Sequence, residues 1–483
     1  VTGFQFKTAP YAHQLRELED HWGDPARALL WQMRTGKTKV VIDTAVRWHV
    51  ERGLRGVIVV APVGVHDNWV RRELPKHCAV PYAAHAWDSA SCARHWHKRA
   101  VASVAEAAGA GGLGFLSVSA ESLLSKAAQA ALRAVLSAGP CALFVDESHM
   151  FKSPGSQRTV KLRGLAKRCV LRRILSGTAV GNSPLGMYSQ FEVLERGALG
   201  FTRYSDFKGH FAVYERAGRS YEKVSRYVNL DELRERVARW SSVVLRSDCE
   251  DLPAVVPAVR GYAPSTAQRA VYEGLRERYE HELAPGVRVE APDAGVRLLR
   301  LQQVLSNFVV DSETFEVRDV DPSGSPRLEA LADALETTDP EQVIVWCWFR
   351  EDFRRVGPLL DRLGVSFVEY HGGVGQEDRA RAVDAFQAGE ARVFLGQPKS
   401  GGQGLDLSAA GVIVWYSHTF DSVVREQACE RATAAGGDPV ALVDIAAPKS
   451  VDEYMLKNTE SKRSLADDLA GRGLRAILKE VSL

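Results

Sequence analysis

The sequence predicts an α/β protein built from two parallel-sheet units in tandem, with helical insertions, and three observations carry that prediction. Short apolar runs alternate with longer helical stretches, first from Ala28 to Leu175 and again from Val343 to Asp444. A Gly-Lys-Thr step follows the first of these runs, and a pair of adjacent carboxylates follows a later one. Between the two sets the texture changes to charged and aromatic residues at helical spacing.

The chain has 483 residues, more than one ordinary core accommodates. With 45% hydrophobic and 25% charged residues it has the composition of a globular protein, and no apolar run is long enough to predict a membrane span. The opening residues VTGFQFKTAPYAHQ show neither the charged nor the apolar region of a signal peptide. Seven cysteines are scattered without a Cys-x-x-Cys pair, which points to a reducing, cytoplasmic setting rather than a disulfide framework or zinc site. Cys92, His95 and His97 cluster without a second ligand pair, and a solvated basic helix face explains them better than a metal. The Ala- and Arg-rich composition suits a bacterial or phage source. A net charge of +2 does not announce a nucleic-acid binder; the local clusters Arg71-Arg72, Lys161 to Arg173 and Arg350 to Arg355 matter only where they line one groove.

The first set of strands is expected at Val57 to Val60, Phe115 to Ser119, Ala142 to Val145 and Leu171 to Leu175, each followed by polar turn residues and a helix. The second set is expected at Val343 to Trp346, Ser366 to Tyr370, Val393 to Leu395, Val412 to Trp415 and Val440 to Asp444. The stretch Leu252 to Pro257, LPAVVP, reads as the linker, giving a first unit at 1–252 and a second at 253–483. Helical excursions are expected at about 200–250 and 264–310, with a second soft break at Asp321 to Pro326.

The residues Gln32-Met33-Arg34-Thr35-Gly36-Lys37-Thr38 follow the apolar step Ala28 to Trp31 and open a helical run. A phosphate-binding loop needs this order. Gly36 lets the backbone approach the phosphates, N–H groups at the helix start point at them, Lys37 reaches the outer phosphates, and the Thr38 hydroxyl holds Mg²⁺. Arg34 and Thr35 complete the expected nucleotide contacts. Trp31 stands where the full pattern has its first glycine. After the apolar strand Ala142 to Val145 come Asp146 and Glu147: paired carboxylates at a strand end suit nucleotide hydrolysis, Asp146 holding Mg²⁺ and Glu147 polarising the attacking water.

With these motifs the chain resembles superfamily-two helicases, and its surroundings resemble the Swi/Snf-type branch of DNA translocases. VIVVAPVGVHDNWVRREL is similar to that branch's post-loop strand and helix, with one extra arginine. FVDESHMFKSPGSQRTVKLRGL and LSGTAVGNSPLGMYSQFEVL resemble its second and third motifs, with Ser176, Gly177 and Thr178 in place and Ala179 where a proline is usual. LRSDCEDLP (Leu245 to Pro253), QVIVWCWFREDFRRVGPLLDRLG, Tyr370-His371-Gly372-Gly373, SGGQGLDLSAAGVIVW (Ser400 to Trp415) and REQACERATAAGG (Arg425 to Gly437) continue the match. The resemblance implies two RecA-like lobes, with ATP and Mg²⁺ as cofactors. Gln14 would read the adenine edge. Gly404 and Asp406 would lie at the inter-lobe cleft, and Gln427 and Arg431 would reach across from the second lobe, Arg431 stabilising charge on the transferring phosphoryl group.

The implied partner is double-stranded DNA, gripped through its backbone without regard to sequence. Motif position nominates Ser117 and Ser119 after their strand, Lys152 and Ser153 after the Asp-Glu pair, and Lys399 and Ser400 before the glycines. One departure stands out: Ala434 replaces the second arginine of the sixth motif, so that Arg431 or Arg425 takes its role or hydrolysis is slow. The expected function is an ATP-driven duplex-DNA translocase. The alternatives are an ATP-gated DNA clamp, and an RNA helicase or restriction-system motor of the same fold.

Overall fold

The computed structural model describes residues 3–32, 34–63, 65–177, 184–216, 222–245, 249, 254–278, 280–284, 287–290, 294–338, 341–400, 405–433 and 437–460. Thr178, Ala179, Gly404 and Ala434 lie outside the described residues. The chain divides into two compact units after Glu250. No helix among the described residues is long and apolar enough to cross a membrane.

The strands of the first unit are β1 (Ala26–Trp31), β2 (Gly56–Ala61), β3 (Tyr82–Ala86), β4 (Leu113–Ser119), β5 (Cys141–Val145), β6 (Leu171–Leu175), β7 (Ala212–Arg216), β8 (Glu222–Tyr227) and β9 (Ser241–Val244). Seven form one sheet in the order β3-β4-β2-β5-β6-β1-β9, every pair parallel. Helical crossovers cover both faces, so the central strands β1, β2 and β5 are buried along their whole length. The period-two geometry sends Ala28, Leu30, Leu143 and Val145 into one core and Leu29, Trp31, Ala142 and Phe144 into the other. Because all strands run the same way, the turns after β1, β5 and β6 emerge at one edge, where β1 lies beside β6 and β6 beside β5. That edge is where open α/β sheets bind ligands.

The second unit contains β10 (Val255–Gly261), the hairpins β11 (Glu280–Ala284) with β12 (Val287–Glu290) and β13 (Phe308–Val310) with β14 (Val317–Asp319), then β15 (Val343–Trp346), β16 (Phe367–Tyr370), β17 (Val393–Gly396), β18 (Val412–Trp415) and β19 (Val440–Ala446). Its sheet has the order β10-β19-β18-β15-β17-β16, again parallel throughout. Val343 and Val345 pack on one face, Ile344 and Trp346 on the other.

The structure corrects two local readings. The region between the strand sets is mixed rather than helical: it holds the β7–β8 hairpin and β9, which completes the first sheet beside β1. The LPAVVP stretch enters a strand, since Val255 to Gly261 pairs with β19. Pro257 is tolerated there because β10 is an edge strand with one side free of ladder bonds. The Asp321–Pro326 break is a helix entry, with Pro326 opening the helix Pro326–Thr337.

Candidate nucleotide site

The loop after β1 and the helix Lys37–Arg52 carry the first half of the site. Gly36 precedes the helix at φ +80°, in the left-handed region, and a β-carbon there would stand 1.9 Å from Gln14 Nε2. Glycine is required on both counts. Arg34 is also left-handed, at φ +64°, and these two reversals turn the loop tightly enough to place the helix start over the sheet edge. The Lys37 ammonium donates to the carbonyls of Trp31 at 2.8 Å and Gln32 at 3.0 Å, and the Thr35 hydroxyl donates to Gln32 O at 2.7 Å. Thr38 is partly exposed in the first helical turn.

Trp31 is the last residue of β1, not a loop residue. Its ring is buried in the core that the sheet shares with the helix Lys37–Arg52, its indole N–H donating to Ser242 Oγ at 2.8 Å. The place of the usual first glycine is therefore filled by a strand residue whose side chain belongs to the core.

Gln14, which the resemblance assigns to adenine, is fully buried and fastens the phosphate loop. Its Nε2 donates to Thr35 O at 3.2 Å, and its Oε1 accepts the Tyr11 N–H at 2.9 Å. His13 Nε2 stands 2.7 Å from the same Thr35 carbonyl, and its ring packs edge-on to Trp31. The one sequence signal for His13 is its place in the Tyr-Ala-His-Gln run that opens the helix Ala12–His21.

The second half follows β5. Asp146 Oδ2 accepts the Trp69 indole N–H at 3.0 Å and Oδ1 accepts the Glu147 N–H at 3.0 Å. Glu147 adopts a left-handed backbone, φ +49°, which is uncommon for a residue with a β-carbon and concentrates at functional turns. Its carboxylate is buried, with His149 Nδ1 3.1 Å from Oε2. Desolvation, and next the adjacent Glu147 charge, push the Asp146 carboxyl up to about 6, against the opposing pull of the Trp69 hydrogen bond and the Lys37 ammonium. Two crowded carboxylates beside a lysine-bearing phosphate loop can accommodate a divalent cation and an anionic ligand together. Ser176, at the end of β6, donates its N–H to Leu29 O at 3.1 Å and ties the third motif to β1.

The remaining candidates are dispersed. Ser117 and Ser119 lie within β4 rather than after it and are buried, Ser119 bonded to Ser122. Lys152 and Ser153 are exposed. In the second unit Lys399 is exposed with its ammonium 4.6 Å from the Trp348 ring centre, and Ser400 donates to Gln397 Oε1 at 2.7 Å. The Asp406 carboxylate accepts the Ser408 N–H at 3.2 Å. Gln427 lies on the helix Ser422–Cys429. Arg431 is buried beyond that helix, its guanidinium 5.5 Å from the Trp346 ring centre. Arg425 is buried too, Nη2 donating at 2.6 Å to each carboxylate oxygen of Asp444.

Two parallel α/β sheets, a lysine-bearing loop at a helix start and an Asp-Glu strand end give the chain a helicase-like arrangement. Residues 326–436 match the helicase conserved C-terminal domain. The mouse chromodomain-helicase-DNA-binding protein 1-like is 24% identical over 333 residues, 67% of this chain and 36% of that protein. Protein p41 of Acyrthosiphon pisum secondary endosymbiont phage 1 is 23% identical over 341 residues, 67% of this chain and 71% of that one. The chain thus spans about a third of the length of the mouse relative. A solved Sulfolobus solfataricus SWI2/SNF2 ATPase core in complex with dsDNA aligns over 100% of this chain and 98% of that one, at 16% identity and a TM-score of 0.43. The domain match and the helicase named among the relatives agree with the resemblance to Swi/Snf-type helicases of superfamily two.

Proposed function

We propose that this chain is a DNA-dependent ATPase that uses ATP hydrolysis to move along duplex DNA. The observation that carries this reading is the meeting, at one sheet edge, of the Lys37 loop and the Asp146–Glu147 pair, with Asp146 pushed up by its surroundings. In this reading Lys37 leaves its loop carbonyls for the outer phosphates, and the N–H groups at the start of the Lys37–Arg52 helix cradle them. Glu147, held in its left-handed turn beside His149, orients and deprotonates the attacking water. Thr38 and Asp146 fit a Mg²⁺ ion: both offer hard oxygen, and two adjacent carboxylates in a desolvated site gain from a divalent charge. When bound, that ion would neutralise charge on the phosphates. Arg431 and Gln427 are proposed to answer to the same nucleotide.

The DNA grip would rest on the exposed candidates Lys152, Ser153 and Lys399 with Ser400, through phosphate contacts that ignore sequence and weaken steeply with salt. Ser117 and Ser119 would contribute only after a rearrangement of β4, being enclosed within it. The helicase and DNA-binding terms in the mouse relative's name support the same substrate class. A bacterial or phage-infected cytoplasm is the proposed setting.

The test is steady-state ATP hydrolysis with duplex DNA, structured RNA or neither, beside Lys37→Ala and Ala434→Arg. Stimulation by duplex DNA, abolished in Lys37→Ala, is the expected result. Stimulation by RNA alone identifies an RNA helicase. Hydrolysis that is absent in the natural chain and appears in Ala434→Arg identifies an ATP-gated clamp.

A further inference from the structure

The helix after β2 contains a one-residue irregularity that bears on the site. Compared with the Swi/Snf-type pattern, the run Val70-Arg71-Arg72-Glu73-Leu74 holds one arginine too many. In an α-helix an extra residue turns everything beyond it by about 100°. Here the chain absorbs it in a π-helical turn, Trp69–Glu73, where the Leu74 N–H bonds back to Trp69 O. Trp69 and Leu74, five apart, therefore share the buried face, 1% and 0% exposed, while Arg71 and Arg72 face outward. Single π turns of this kind occur frequently at functional sites.

The π turn preserves one contact with the candidate site. Trp69, packed against Phe144 of β5, donates its indole N–H to Asp146 Oδ2 at 3.0 Å, while Oδ1 accepts the Glu147 N–H. Each carboxylate oxygen thus has one fixed donor and keeps a lone pair. The plane of the carboxylate is set from two sides. The donor is also neutral: an indole N–H orients an anion without cancelling its charge, whereas lysine or arginine at this place would compete with a cation.

We propose that Trp69 is a positioning residue for Asp146, holding its carboxylate in the orientation that receives the metal of a metal–nucleotide complex, and that the π turn keeps it there despite the added arginine. This rests on the nucleotide reading above.

Equilibrium binding of a fluorescent ATP analogue, titrated with and without Mg²⁺, separates the two. Trp69→Phe keeps the aromatic packing and removes the donor. It should leave Mg²⁺-free binding unchanged and cut the Mg²⁺-dependent gain in affinity by about tenfold, the order expected for one lost hydrogen bond to a charged group. Placing the benzothiophene isostere of tryptophan at position 69 alters only the N–H and serves should Trp69→Phe fail to fold. In an Asp146→Asn background, where the charge on the acceptor is gone, Trp69→Phe should add no further loss. An unchanged Mg²⁺ response in the isostere, or equal loss with and without Mg²⁺, overturns the positioning role while leaving the nucleotide site intact. A natural chain that binds no analogue under either condition overturns the nucleotide reading, and this inference with it.

Discussion

The Lys37 ammonium donates to the carbonyl of Trp31 at 2.8 Å, so the lysine of the phosphate loop is held by the backbone of the residue that replaces the loop's usual first glycine. The contact needs only a carbonyl, and the Trp31 side chain is spent elsewhere, buried and bonded to Ser242. Trp31→Gly, which restores the usual pattern, should therefore leave nucleotide affinity within twofold. It should destabilise the first unit by about 3–5 kcal/mol through loss of a fully buried ring, read as a shift in urea unfolding.

Gly36 and Gln14 form a second test. Gly36→Ala adds a β-carbon against the Gln14 amide at 1.9 Å and asks alanine to hold φ +80°, so ATP-analogue binding should fall by tenfold or more. Gln14→Ala alone gives up the bond that fastens the loop to Thr35 and should weaken binding less than Gly36→Ala, which adds backbone strain of about 1 kcal/mol or more to the clash. Binding lost equally in both single variants would show that the Gln14 contact, not the glycine backbone, sets the loop.

Asp146 makes the site sensitive to acid. Its carboxyl, pushed up to about 6, takes a proton as pH falls through that value, so Mg²⁺-dependent nucleotide binding should decline on that limb. Glu147→Gln removes a neighbouring charge and should move the midpoint lower. Stability runs the opposite way: a carboxyl raised on folding favours the folded state at low pH, and that contribution disappears as pH rises through about 6. Without nucleotide, Asp146→Asn should raise the melting temperature at pH 8 and leave it unchanged near pH 4. A melting curve lowered at both pH values would refute the desolvation account.

Arg425 is committed to structure. Its guanidinium is buried, bonded to both oxygens of Asp444 and 4.7 Å from the Trp415 ring centre. Arg425→Ala leaves a buried carboxylate unpaired and should cost about 3–5 kcal/mol of second-unit stability. Were Arg425 instead the phosphoryl-stabilising arginine, the variant would melt normally and lose only turnover.

His77 gives a check away from the site. Burial, aided by the nearby Lys76, holds its imidazole down at about 4, and its Nδ1 stands 2.7 Å from the Thr8 hydroxyl. Since the unfolded chain protonates this histidine first, stability should decline as pH falls from 6.5 towards 4. His77→Gln should flatten that part of the melting-temperature profile.

Most of the two sheets was legible in the chain because buried parallel strands are mostly apolar runs. Cys141–Val145, Val343–Trp346 and Val412–Trp415 stand where the apolar runs put them. The strands not legible in this way, β3, β9 and β10, are less uniformly apolar. β3 and β10 lie at sheet edges with partly exposed residues, and β9 reads SSVV. Edge positions relax the demand for apolar side chains and thereby erase the signal. The phosphate loop and the Asp-Glu pair were legible because backbone reversal and paired negative charge demand particular residue types at fixed spacing.

What the sequence determined by itself, then, was the class of fold, and it nominated Gly36, Lys37, Thr38, Asp146 and Glu147 as the candidate site, since each nomination follows from local chemistry along a few consecutive positions. Tertiary structure alone decided that Gln14 and His13 fasten the loop, that Trp69 holds Asp146 across 77 positions of chain, and that Arg425 is closed off by Asp444. Those contacts depend on which strands lie side by side and which way each helix turns its faces. The one-residue π turn Trp69–Glu73 absorbs the added arginine and keeps Trp69 and Leu74 on one buried face.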